Sequence, residues 1–188
     1  AWLGATVVYS VLEPVKITMH MFMALLIVGM LLWMIHSSDT RLRRFGFDLL
    51  TYRIWWLTVP ATLLQILLGT QVRQFVDHQV EALGPGAKSL WLQDPAMVFY
   101  VHRSFSIAVL LLHLWAAYRV YHLKLGFAKI HASLFVLTGL IATGIAMNYF
   151  DFPWGSQPLH LVLAAILFGF QWYALMELIR AAQARISL

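Results

Sequence analysis

The stretch FYVHRSFSIAVLLLHLW, residues 99–115, decides how this chain folds. It is apolar enough to cross a membrane, yet His102 and Arg103 stand side by side near one end and His113 follows three turns later. Ionisable groups are costly in hydrocarbon and persist there only with partners. The rest of the chain repeats the pattern. Of 188 residues, 61% are hydrophobic and 11% charged, whereas soluble domains run near half apolar and a quarter charged. The apolar residues come in blocks of about 20, the length a bilayer core about 30 Å thick demands.

The blocks predict one partial span at 1–12 and five full ones at 15–36, 54–76, 96–120, 128–149 and 158–180. The fold class expected is therefore an all-α, polytopic membrane protein. Its predicted organisation is a C-terminal four-helix transmembrane bundle at 54–180 behind residues 1–36, with a cytoplasmic linker at 37–53 and a cytoplasmic tail at 181–188.

Basic residues orient it. Arg41, Arg43, Arg44 and Arg53 lie in one linker, Arg119, Lys124 and Lys129 in another, and Arg180 and Arg185 near the end. The alternate linkers, 77–95 and 150–157, hold Asp77, Glu81, Asp94 and Asp151 against Lys88. The basic linkers are thus expected in the cytoplasm. The net charge of +5 is topological and calls for no nucleic-acid partner. Aromatic residues at both boundaries (Trp91, Tyr100, Tyr149 and Trp154; Tyr52, Trp55, Trp56, Tyr118 and Tyr121) read mostly as interfacial anchors.

The chain repeats itself. At one ungapped offset of 140, Gly4 matches Gly144, Tyr9 matches Tyr149, His20 matches His160, Ala24 matches Ala164 and Gly29 matches Gly169. Small residues in register let a partner helix or a flat ligand approach closely. Residues 1–36 then read as the remnant of a bundle related to the one that follows, and the chain as part of a longer one.

The absence of cysteine removes disulfides, thiolate metal sites and cysteine nucleophiles. No phosphate loop, dinucleotide fingerprint or nucleophile elbow is present. What remains is histidine. His20, His102 and His160 fall at similar depth in the outer part of their helices. Three roles suit such residues: ligation of a heme iron between facing helices, a proton relay, or hydration at the interface. Arg103 beside His102, and Arg73 at the end of its helix, would suit heme propionates; Arg73 reads equally well as a boundary arginine reaching for water. His113, about 16 Å below His102 along the helix, reads as an internal hydrogen-bonding residue or a second ligand. His36, His78, His122 and His131 read as ordinary interfacial residues, and Glu177 as a carboxylate at the cytoplasmic end of its span.

LQILLGTQVR (64–73), FYVHRSFS (99–106), TGIAMNYF (143–150) and QPLHLVLA (157–164) together resemble the bacterial heme A synthase family. Residues 4–29 resemble that family's approach to its fourth helix. The resemblance implies eight helices in two similar halves, and oxidation of the C8 methyl of heme O to the formyl of heme A for terminal oxidases. It implies that His102 and His160 hold a heme b, and that His20 is the second histidine of the half that takes the substrate heme. It further implies a plasma-membrane protein working beside heme O synthase and an electron donor. The family's first two helices and most of its third have no counterpart here, so the chain alone is expected to be incomplete as an enzyme. A membrane cytochrome b that only transfers electrons is the alternative that the paired histidines leave open.

Overall fold

The computed structural model describes residues 2, 4, 5, 14–39 and 45–186. Most of the predicted span 1–12, Tyr9 of the repeat, and Arg41, Arg43 and Arg44 lie outside the described residues. Within them the chain is helical throughout: α1 (Pro14–Ser38), α2 (Leu49–Leu83), α3 (Met97–His122), α4 (Ala128–Tyr149) and α5 (Ser156–Ile186), with one 3-10 turn at Lys88–Leu90. Among the described residues four helices are long and apolar enough to cross a membrane, and this is an all-α multi-pass membrane protein.

α2 is the helix that falls short of that apolar standard. The reason is visible in its packing: Thr51, Thr58, Thr62 and Thr70 are turned inward and buried. It reads polar because it lines the bundle. At 35 residues it is about 52 Å long, so it runs past the predicted span at both ends. Asp48 starts it, its carboxylate accepting from the Thr51 amide at 2.7 Å, an N-cap. Gly84 stops it with φ at 87°, a backbone conformation open to glycine. With no proline between Pro60 and Pro85 and no glycine between Gly69 and Gly84, nothing breaks the helix where the outer linker was expected to begin. His78, expected in a loop, is consequently an exposed helical residue.

α2 packs on α3, α3 on α4, α4 on α5, and α5 back on α2. The four close a ring in which α3 and α5 face each other across the centre. α1 lies outside it, against α5 and α2. The α1–α5 contact joins the two copies of the repeat. Gly29 packs against the Trp172 ring, and Gly169 against Leu32. Residues 29 and 169, like 32 and 172, are 140 apart, so each helix offers its partner the same patch. This is the signature of a two-fold relation, here between parallel helices, as in repeats related by an axis along the membrane normal. The Trp172 indole N–H also donates to the Gly29 carbonyl at 2.9 Å.

The basic linkers lie at one end of the bundle, called here the basic end; His102 and His160 lie toward the other, the histidine end. Packing is uneven between them. Twelve buried hydrophobic residues, Trp55, Phe127 and Leu178 among them, form one cluster at the basic end. Four form the middle cluster, and three, Val76, Trp91 and Phe152, close the histidine end. Two expected anchors are therefore core residues. Trp55 is buried with its N–H on the Gln171 carbonyl, and Trp91 is buried edge-on to Phe152 with its N–H on the Gly84 carbonyl. Both indoles find a hydrogen-bond partner inside, which lets them leave the interface.

Candidate functional site

Three histidines sit beside glycines of neighbouring helical segments. A Cβ on Gly69 of α2 would lie 3.1 Å from Cε1 of His102, one on Gly144 of α4 would lie 3.7 Å from Cε1 of His160, and one on Gly4 would lie 3.4 Å from Cε1 of His20. Each imidazole occupies the room a missing side chain leaves. Gly4/His20 repeats Gly144/His160 at the 140-residue offset, in contact as well as in sequence.

His102 is half-buried on α3. The Gln65 side-chain amide donates to the His102 backbone carbonyl at 3.0 Å and passes 3.5 Å from ring Nε2. Ring Nδ1 is buried and has no hydrogen-bond partner. A buried polar atom left without a partner in a membrane bundle is expensive. His160, also half-buried, sits across the ring on α5. Its Nδ1 lies 2.7 Å from the Thr143 hydroxyl of α4. At this level no hydrogen bond joins α3 to α5 among the described residues.

One layer below, the same two helices are tied together. His113 is fully buried, its Nδ1 2.8 Å from the Val109 carbonyl. That carbonyl can only accept, so Nδ1 carries the proton and Nε2 accepts. The Gln171 side-chain amide of α5 supplies it, donating to His113 Nε2 at 2.8 Å and to the Thr62 hydroxyl of α2 at 2.8 Å. Trp55 meets the His113 ring edge-on at 5.5 Å. Both ring nitrogens are used, so of the two readings the sequence left open for His113 the geometry supports the hydrogen-bonding one.

The remaining candidates are spread out. Arg103 is exposed, its guanidinium 3.5 Å from the Tyr149 hydroxyl. Arg73 is exposed and grips Asp77 on its own helix at 3.0 and 3.1 Å. His20 is exposed on α1. His36, expected at the interface, is instead buried: its ring meets Tyr173 edge-on at 5.1 Å, and Arg180 donates to its carbonyl at 2.8 Å. Arg180 thereby caps the last turn of α1. Glu177 is buried in an ion pair with Lys129, which also lies over the Tyr173 ring. An open groove of about 630 Å³ at the α3–α4 turn, lined by Tyr121, His122, Lys124 and His131, is remote from the histidine pair.

No group of three or more His, Asp or Glu side chains converges on a metal-sized point among the described residues. A heme iron asks less of the protein, since two axial imidazoles suffice. Fold and site thus define a class: a helical multi-pass membrane protein whose central feature is a pair of intramembrane histidines on opposed helices. The sequence matches the cytochrome oxidase assembly protein family, COX15-CtaA, over residues 1–172. The chain belongs to that family, which is the heme A synthase family, and its role lies in cytochrome oxidase assembly. No curated protein and no solved structure matches it.

The family resemblance now has a physical content. Gln65 and Gly69 of LQILLGTQVR both touch His102, and Thr143 and Gly144 of TGIAMNYF both touch His160. Reasoning from the sequence alone marked Gln65 only as part of a motif and gave no role to it, to Thr143 or to Gln171. Spacing within one helix cannot show which residue of another helix it will meet.

Proposed function

We propose that this chain is a heme A synthase, a membrane oxidoreductase that converts the C8 methyl of heme O to the formyl of heme A, with a heme b between His102 and His160. One observation carries the reading. Two imidazoles on opposed helices each keep a ring nitrogen uncommitted, each beside a glycine, at a level where no hydrogen bond among the described residues joins α3 to α5. The unpartnered Nδ1 of His102 and the close seating of both imidazoles against Gly69 and Gly144 suit two side chains that would hold a heme iron. A heme held there supplies a one-electron redox centre.

The chain's own residues do the rest. Gln65 fixes the backbone of His102. Arg103, exposed near Tyr149 at the histidine end, suits a propionate, and Arg73 would suit one after release from Asp77. His20, alike in sequence and glycine contact to His160, is assigned to the substrate heme. The membrane is the plasma membrane, with the basic end in the cytoplasm and the heme sites toward the outer face. Lipid surrounds the helices, and heme O synthase and an electron donor are the expected partners.

The test is the optical spectrum of the reduced protein in detergent, with pyridine extraction to identify the heme. A low-spin b-type spectrum near one heme per chain is expected, lost in His102→Ala and in His160→Ala while the helices persist. Normal heme content in either variant would falsify the assignment. Conversion of heme O by the holoprotein separates a synthase from a cytochrome b that only passes electrons.

A further inference from the structure

We infer that Thr143 is a positioning residue for His160, fixing which ring nitrogen faces the heme and how strongly it donates. The inference rests on the heme reading above. A threonine hydroxyl has one proton. That of Thr143 is donated to the Leu140 carbonyl of its own helix at 2.8 Å. The contact between Thr143 Oγ1 and His160 Nδ1, at 2.7 Å, is then made by the ring's proton. So Nδ1 carries the hydrogen, Nε2 keeps its lone pair, and the hydroxyl polarises the ring toward stronger donation. A donor–acceptor partner on the far nitrogen is the usual way a protein sets a histidine ligand's tautomer, orientation and basicity.

The other histidines differ. His102 Nδ1 has no hydrogen-bond partner. At the 140-residue offset that matches His160 with His20, the position of Thr143 falls to Leu3, whose side chain has nothing to accept with. Of the two histidines related by the repeat, only the one assigned to the resident cofactor has a hydroxyl in that register.

The experiment titrates hemin into the full chain in detergent and measures the midpoint potential of the complex. Thr143→Val keeps the side-chain shape and removes the acceptor. It is expected to bind hemin about 10- to 100-fold more weakly and to shift the potential to more positive values, because a weaker donor stabilises the ferric state less. Thr143→Ser is expected to restore both. Wild-type affinity and potential in Thr143→Val overturn the inference, and so does a Ser variant that behaves like Val, which would make the methyl group the relevant part. Should His160→Ala bind hemin as the parent does, the heme reading fails and takes the inference with it. Loss in His160→Ala with no change in Thr143→Val removes the inference alone.

Discussion

The bundle places histidine at two levels between the same pair of opposed helices, and the two levels are built in opposite ways. Around His113 every ring nitrogen is spent: Val109 takes the proton of one, and Gln171 donates to the other. Around His102 and His160 the rings are given space and left with nitrogen to spare. The contrast extends to the surroundings. The basic end carries the largest buried cluster and is closed by Asp48–Arg119, Lys129–Glu177 and the Arg180 cap on α1. The histidine end is thinly packed. Histidine in an apolar bundle can thus be a closed knot or, on the function proposed above, a ring kept free to act as a ligand. Completeness of its hydrogen bonds tells the two apart better than depth or spacing does.

The sharpest way to break this comparison is to exchange the phenotypes. His113→Ala opens a cavity and strands the Gln171 amide, so it is expected to destabilise the protein by about 3–5 kcal/mol. Heme content per folded chain should hold. His102→Ala is expected to do the reverse, emptying the heme spectrum at little cost in stability. Thermal unfolding in detergent followed by helix content, beside heme stoichiometry, reads both. Loss of heme at unchanged stability in His113→Ala would mean that the lower layer is a ligand layer too.

A finer pair tests the glycines. A Cβ at Gly69 would press on His102 at 3.1 Å, whereas one at Gly144 would meet His160 at 3.7 Å, an ordinary contact. Gly69→Ala should therefore push the ring aside and weaken hemin binding by about tenfold, a cost of about 1.4 kcal/mol. Gly144→Ala should leave binding within about twofold and, by replacing glycine in a helix interior, add up to about 1 kcal/mol of stability. Equal effects at the two sites would show that helix propensity, not clearance for the ring, sets the response.

The helices were legible because a span is a one-dimensional property: about 20 apolar residues between charged linkers need no knowledge of neighbours. The repeat was legible for the same reason, and its structural meaning, α1 packed on α5 by matched glycines, follows the register the sequence shows. What stayed hidden was two-sided. Trp55 and Trp91 read as anchors because aromatic residues near a boundary usually are; a hydrogen-bond partner brought in from another helix made them core. His36 read as interfacial until Arg180 and Tyr173 of α5 closed over it. α2 reads as less apolar than its neighbours because its threonines face inward, a fact about orientation that composition averages away. His102 and His160 stood out as costly residues, whereas Gln65 and Thr143, cheap and common, gained their meaning only from the ring each one touches.

The smallest effect concerns the closed end of the bundle. Asp48 accepts from the Thr51 amide and hydroxyl, each at 2.7 Å, and from Arg119 at 2.9 and 3.1 Å. Partial burial pushes its carboxyl up, but the hydrogen bonds from Thr51 and the Arg119 guanidinium outweigh it and hold the group below its ordinary value of 3.8. A carboxyl depressed on folding contributes stability that is fully present above its ordinary value and lost as pH falls through the lowered one. The side chains are about a quarter exposed, 23% and 24%, so solvent screening keeps the contribution near 1 kcal/mol. Asp48→Asn should lower the unfolding temperature at neutral pH and converge with the parent under acid, below the ordinary carboxylate range. Heme content should not follow it at any pH, because the pair lies at the basic end, across the His113 layer from His102 and His160. A parallel loss of heme in Asp48→Asn would mean that the two ends are mechanically coupled, and that the open layer depends on the closed one for its shape.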